Sequence, residues 1–290
     1  MKTPRPLPIT HCSTFEEFNA FLAMTAPLRE EIAVFEGSLV SDSESFSLPG
    51  YCEVCARDVQ FTGHYAHCFI AADGKRSPNW REILNCPHCG LNNRMRATVG
   101  FIQHSAKQTD SLYLTEQVTP MFRVVRSLFP RALGSEFIPH GIARGDTDGR
   151  GIRHEDVTNL TLESRSIDLI GTFDVLEHVP DYRRAIQEFC RCLRPGGTLV
   201  MTVPFALGSP VTIARAKVMD DGSIRHLLPP EYHGDPLSSA GILSYYDFGW
   251  DLLDRLAEEG LVDQGLYFYW SYELGYLGQT QFVIKAQKPL

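Results

Sequence analysis

The chain has 290 residues, room for two domains at roughly 150 residues each. Its 27 Lys and Arg stand against 35 Asp and Glu, a net charge of −8, with 43% hydrophobic and 21% charged residues. This usage excludes global disorder and speaks against a broad, non-specific nucleic-acid binder. The longest uncharged stretch, 195–214, is interrupted by Pro204, Pro210 and glycines and does not read as a membrane span. No apolar signal-peptide core follows Met1, so a cytoplasmic location with reduced thiols is expected.

Phe15, Phe18, Phe21 and Leu22 recur at helical spacing behind a capping Ser13 or Thr14. They predict a short amphipathic helix, followed by a second one near 28–35 that ends at Gly37. Residues 41–45 read as a polar linker. The first segment therefore covers 1–45, and a cysteine-bearing module covers 46–97.

That module holds two C-x-x-C pairs, Cys52 with Cys55 and Cys86 with Cys89. In such a turn both thiolates face one ion, and two turns supply a sulfur tetrahedron. The pattern predicts a closed, structural zinc site. His64, His67, His88 and Cys68 lie between or beside the pairs and read as surface or neighbouring groups. Arg94 and Arg96, just beyond, read as ordinary surface charge.

From 98 to 290 strand and helix signals alternate. Strands are expected at 111–115, 132–138, 152–157, 167–173 and 198–203. Helices are expected from Pro120, over 181–193 and over 247–259. Strands at 266–272 and 281–286 close the chain. This alternation predicts an α/β domain, a mostly parallel sheet with helices on both faces. The last two strands, separated by a short link, predict a C-terminal antiparallel hairpin.

The run Ser166-Ile-Asp-Leu-Ile-Gly-Thr-Phe-Asp-Val-Leu-Glu-His178, with Leu193-Arg-Pro-Gly-Gly-Thr-Leu199 after it, resembles the class I S-adenosylmethionine-dependent methyltransferases, particularly the type 11 group. The resemblance covers about 108–290 and is specific over 166–203. It implies a Rossmann-like sheet and S-adenosylmethionine as cofactor. Glu116 then matches the acidic residue after the first strand, and Glu136 the one that holds the ribose hydroxyls. Asp156 and Val157 match the contacts to the adenine, and Asp174 lies at the end of the fourth strand. The chain departs from the family's Gly-rich first loop, having no glycine from 101 to 133.

For proton removal from an acceptor, His178 and His233 are the candidate catalytic residues; Glu177 and His226 lie nearby in sequence. Asp174, Glu177 and His178 also resemble part of the metal-binding set of small-RNA 2′-O-methyltransferases. The expected function is methyl transfer to a small-molecule acceptor, a sugar or other metabolite. Two alternatives stay open: an inert methyltransferase-fold scaffold whose zinc module recruits a partner, and an RNA methyltransferase.

Overall fold

The computed structural model describes residues 3–4, 7–40, 43–66, 68–138, 141–234, 237 and 241–290. His67 and residues 41–42 of the expected linker lie outside the described residues, as do Asp235 and Pro236 beyond His233. The chain divides into two compact units. One gathers Met1–Cys12, Glu16–His104 and Leu266–Val283; the other gathers Ser13–Phe15, Ser105–Gly265 and Ile284–Leu290.

The first unit contains β1 (Leu7–Cys12) and almost all of α1 (Phe15–Leu39). The hairpin of β2 (Ser45–Cys52) and β3 (Arg57–His64), the short ribbon of β4 (Phe69–Ile70) and β5 (Arg76–Ser77), and α2 (Asn93–Ser105) follow. The two expected N-terminal helices are one continuous helix that runs through Pro27 and past Gly37. An internal proline costs about 3 kcal/mol, yet buried Phe18 and Phe21 before it and Ile32 and Phe35 after it recur at helical spacing as one stripe, with half-buried Thr25 and Leu28 between them. Phe18 and Phe21 stack on Phe268 at 5.2 and 5.3 Å, and Phe35 meets Trp270 edge-on. Packing of that stripe outweighs the local breaker.

The second unit begins with β6 (Leu112–Leu114), α3 (Pro120–Leu128) and β7 (Leu133–Gly134). It continues with β8 (Ile167–Phe173), α4 (Tyr182–Cys192) and β9 (Leu193–Thr202). Thr119 caps α3 by accepting from the Phe122 N–H, with Pro120 at the first helical position. Asp181 caps α4, whose buried Ala185, Ile186 and Phe189 recur at helical spacing. The small strands β10 (Ile213–Ala214), β11 (Ala216–Val218), β12 (Ile224–His226), β13 (Tyr232–His233), β14 (Ile242–Leu243) and β15 (Tyr246–Asp247) form two-residue and three-residue ribbons. Helix α5 (Asp251–Glu258) is the last helix of this unit; the long strands β16 (Val262–Ser271) and β17 (Tyr276–Gln287) end the chain, and their residues 266–283 belong to the first unit.

Among the described residues one seven-stranded sheet has the order β1-β16-β17-β9-β8-β6-β7. Strands β7, β6, β8 and β9 are parallel; β17 runs antiparallel to β9, and β1 antiparallel to β16. The chain leaves β6 for β7 on one side and returns to β8 on the other. This is a Rossmann-like mixed sheet, and its order reverses at β6, where such folds bind ligands beyond the carboxyl ends of the strands.

Two expected elements differ. Residues 152–157 make only isolated bridges, Glu136 with His154 and Thr147 with Arg153. The buried Glu155 carboxylate accepts from Arg153 at 2.7 Å and from the Thr161 N–H at 2.9 Å, which folds the segment back on itself. Helix α5 starts at Asp251 rather than 247, because Tyr246 and Asp247 pair with Ala214 and Ile213. No helix among the described residues is long and apolar enough to cross a membrane.

In the first unit the buried Glu36 carboxylate accepts from Trp270 Nε1 at 2.8 Å and from the Gly278 N–H at 2.6 Å. Burial nevertheless holds its pKa above the ordinary carboxylate value. The folded unit thus binds this proton more tightly than the unfolded chain does. The group's contribution is full below the unfolded pKa and is lost as pH rises through the folded one. Glu36→Gln keeps an acceptor for both donors and should remove this slope. Denaturation midpoints at stepped pH, read for the parent and the variant, check it.

Candidate active site and cysteine cluster

In the first unit β2 ends at Cys52 and the turn after it carries Cys55; a second turn carries Cys86 and Cys89. The residue after each pair is left-handed, Ala56 at φ 51° and Gly90 at φ 73°, which curls each turn back toward its own sulfurs. The four Sγ atoms lie within 4.8 Å of one another. Cys52 and Cys89 are 4.0 Å apart, and Cys55 and Cys86 are 3.8 Å apart. Sulfurs about 2.3 Å from one zinc span tetrahedral edges of roughly 3.8 Å, so the donor set fits a tetrahedral metal.

Proton sharing inside the cluster splits the thiols. The hydrogen bond shared between Cys52 and Cys89 lowers Cys52 to about 5 and raises Cys89. Burial and the Cys52 charge push Cys55 up to about 11.

Arg96 corrects the surface reading of its segment. It is 0% exposed, lies 3.9 Å over the Phe61 ring, and donates to the carbonyls of Leu274 at 2.6 Å and Gly275 at 2.8 Å. Gly275 sits at φ 62°, and a β-carbon there would lie 2.6 Å from the Phe61 ring. Arg94 is also mostly buried and pairs with Glu82 at 3.1 Å.

In the second unit the parallel pairing of β6, β7, β8 and β9 brings their carboxyl ends to one edge. The loop after β6 lacks glycine, and the close approach falls on β7 instead. A β-carbon on Gly134 would lie 2.5 Å from the Glu116 carbonyl oxygen and from the Phe122 ring. The loop's own amides are taken up within the protein. Glu136 Oε1 accepts from the Gln117 N–H at 2.6 Å and the Val118 N–H at 2.9 Å. Gln117 donates from Nε2 to the Gly151 carbonyl at 2.9 Å and accepts from the Arg153 N–H at 2.8 Å. Asp156 Oδ1 accepts from the N–H and hydroxyl of Thr158, at 2.8 and 2.7 Å, and Val157 is half-buried beside it. Of the residues expected to hold a cofactor, Glu136 and Asp156 thus each commit a carboxylate oxygen to shaping the loops.

At the end of β8, Asp174 takes a left-handed conformation at φ 52°, rare for a residue with a β-carbon. Its N–H donates to the Thr202 carbonyl at 2.8 Å, and Thr202 Oγ1 donates to its Oδ1 at 2.9 Å. A 3-10 turn over Leu176–His178 follows and turns Glu177 inward, where its side chain is 0% exposed. His178 Nε2 lies 3.7 Å from Glu177 Oε1, and His233 Nδ1 lies 3.5 Å from the same oxygen. The pairing of β13 with β14 carries His233 there from 55 residues downstream. The two rings meet edge-on with centroids 5.0 Å apart. The Glu177 carboxylate, followed by Glu231, raises the His233 pKa against the effect of burial.

The structure therefore brings Glu177, His178 and His233 together and leaves His226 exposed on β12. Sequence reading missed the groups behind them. The Leu243 carbonyl lies 2.9 Å from His178 Nδ1, and Glu231 Oε1 lies 3.2 Å from His233 Nε2. Arg215 then joins Glu231 at 2.9 Å to Asp247 at 2.6 Å. The signal for Glu231 was its place two residues before His233, on the same face of an extended segment.

Residues 120–201 match the methyltransferase domain family. A protein of Mycolicibacterium smegmatis described as a probable S-adenosylmethionine-dependent methyltransferase is 38% identical over 53 residues, 18% of this chain and 21% of that protein. A 37.1 kDa protein of a Streptomyces fradiae transposon is 51% identical over 49 residues, 17% of this chain and 14% of that protein. The chain thus spans about a fifth and a seventh of the length of these relatives. Among solved structures, an S-adenosylmethionine-dependent methyltransferase from Mesorhizobium loti aligns with 69% of this chain and 100% of its own, at 14% identity and TM-score 0.43. One from Methanosarcina mazei aligns with 66% of this chain and 97% of its own, at 14% identity and TM-score 0.39.

Since Glu136 anchors two backbone amides from a site only 9% exposed, Glu136→Ala should destabilise the second unit without any ligand present. Leaving two half-buried donors without their acceptor costs about 1–3 kcal/mol. The shift in denaturation midpoint of the ligand-free protein measures it.

Proposed function

We propose that this chain transfers a methyl group from S-adenosylmethionine to a small-molecule acceptor, a sugar or another metabolite. The observation that carries the reading is the match of residues 120–201 to the methyltransferase domain family. That stretch runs from α3 through β9 and begins just after β6, the strand at which the order reverses. The donor chemistry at the strand ends supports it. Carboxylates at Glu116, Glu136 and Asp156 suit the ribose diol and the adenine amino group, because a carboxylate only accepts and these groups donate. The Val157 N–H is the matching donor to the adenine ring, and Asp174 closes the edge beside β9. When bound, the cofactor would supply an electrophilic sulfonium methyl group. The chain's part is to hold both partners in line.

The reading includes a structural zinc on Cys52, Cys55, Cys86 and Cys89, supported by sulfur separations near those of a zinc tetrahedron. It also includes a reducing, cytoplasmic compartment, since that site needs its thiols unoxidised.

Calorimetric titration of zinc-loaded protein with S-adenosylhomocysteine should give one site per chain. Asp156→Ala should weaken it about tenfold, equivalent to about 1.4 kcal/mol. A folded, zinc-loaded parent that binds none overturns the enzyme reading in favour of a scaffold. Salt-dependent RNA affinity would move the acceptor from a metabolite to RNA.

The purified chain should carry one zinc by elemental analysis. Cys86→Ser should lose it and lower the Tm by on the order of 10 °C, because metal binding to such a site is folding free energy. A metal-free parent with an unchanged Tm overturns the zinc assignment.

A further inference from the structure

Glu177 is a fully buried carboxylate, and neither of its oxygens has a well-formed hydrogen bond among the described residues. Leaving such a group in the interior is costly unless a cation balances it. What faces it are two imidazole nitrogens, and their outer partners decide which protonation states they carry. His178 Nδ1 is 2.9 Å from the Leu243 carbonyl, which can only accept, so Nδ1 holds the hydrogen. The Nε2 lone pair of the neutral ring then points toward Glu177. His233 Nε2 is 3.2 Å from the Glu231 carboxylate, which likewise only accepts. In the neutral ring its Nδ1 lone pair in turn points toward Glu177. With both rings neutral, three acceptors thus converge within 4.8 Å of one another.

We propose that Glu177, His178 and His233 form a binding site for a divalent transition-metal cation, separate from the four-cysteine site. Two imidazoles and one carboxylate suit first-row ions such as Mn²⁺, Fe²⁺, Co²⁺ and Zn²⁺. Ligand atoms about 2.1 Å from one ion lie roughly 3.0–3.4 Å apart, so separations of 3.5 and 3.7 Å close by a few tenths of an ångström. The Leu243 carbonyl and Glu231 play the part of outer groups that fix a ligating imidazole's tautomer and aim its free nitrogen. Three protein ligands leave coordination positions open, and the 28% exposed side chain of His233 marks the side from which they are reached. The open positions take water or an oxygen donor of a bound molecule. The proposal does not depend on the methyl-transfer reading.

The test uses the 290-residue chain with zinc already on its cysteines, titrated with Mn²⁺ and followed by electron paramagnetic resonance and calorimetry. Mn²⁺ prefers oxygen and nitrogen donors and does not displace zinc from thiolates. One Mn²⁺ per chain is expected. The affinity should fall tenfold or more in Glu177→Gln and in His233→Ala, and stay unchanged in His226→Ala. Co²⁺ added to the same zinc-loaded protein should give weak visible bands without thiolate charge transfer. Circular dichroism establishes that each variant is folded; if Glu177→Gln is not, His233→Ala alone decides. A folded parent that binds no Mn²⁺ overturns the proposal, because the cluster is then a charged imidazole held between Glu177 and Glu231. Mn²⁺ affinity that survives His233→Ala overturns it equally.

Discussion

Two hydrogen bonds between Asp174 and Thr202 set the edge on which the second unit's chemistry depends. They hold a residue with a β-carbon in the left-handed region at the end of β8. A strand normally continues outward past the sheet; this one is turned at once into the Leu176–His178 turn. The short turn is what buries Glu177 and leaves His178 within reach of β14. Strain of this sort persists only where neighbouring structure over-determines it. Here the neighbour is β9, paired with β8 over six residue pairs from Ile167–Leu193 to Phe173–Thr202.

The loop after β6 shows how the same architecture is kept with different residues. A Gly-rich loop lets a backbone come close because nothing projects from it. Here the projecting groups are used instead. Glu136 gathers two loop amides, and Gln117 ties the loop to both Gly151 and Arg153. The bare position moves to Gly134, where the Glu116 carbonyl comes to rest. The loop is thus shaped by side-chain hydrogen bonds rather than by conformational freedom.

Local signals carried much of the fold. The apolar run at Ile167–Phe173, the capped helix after Asp181 and Pro120 at a helix start each encode their own geometry and were legible. Where a distant partner decides, the chain was opaque. The α1 stripe outlasts Pro27 only because Phe268 and Trp270 lie beneath it, more than 200 residues away in sequence. Arg96 looks like surface charge until Leu274 and Gly275 place carbonyls around it. The cysteine pairs were visible because their spacing is local. His178 and His233 could be named, but nothing in the sequence tells that β13 and β14 fold one onto the other, or that a carbonyl and a carboxylate orient the two rings.

The compact unit that holds the four cysteines joins the N-terminal Met1–Cys12 and Glu16–His104 to a late piece, Leu266–Val283. This has a consequence in time. At about 5–20 residues per second, the second piece leaves the ribosome roughly 8 to 30 seconds after the first. During that interval the cysteine turns are complete and able to take a metal, while Arg96 has neither Leu274 nor Gly275 to receive its hydrogens and Glu36 has no Trp270. Metal capture can therefore precede closure of the core around it. The module thus stands half-built, its cysteine turns present and its core unsealed, until β16 and β17 arrive.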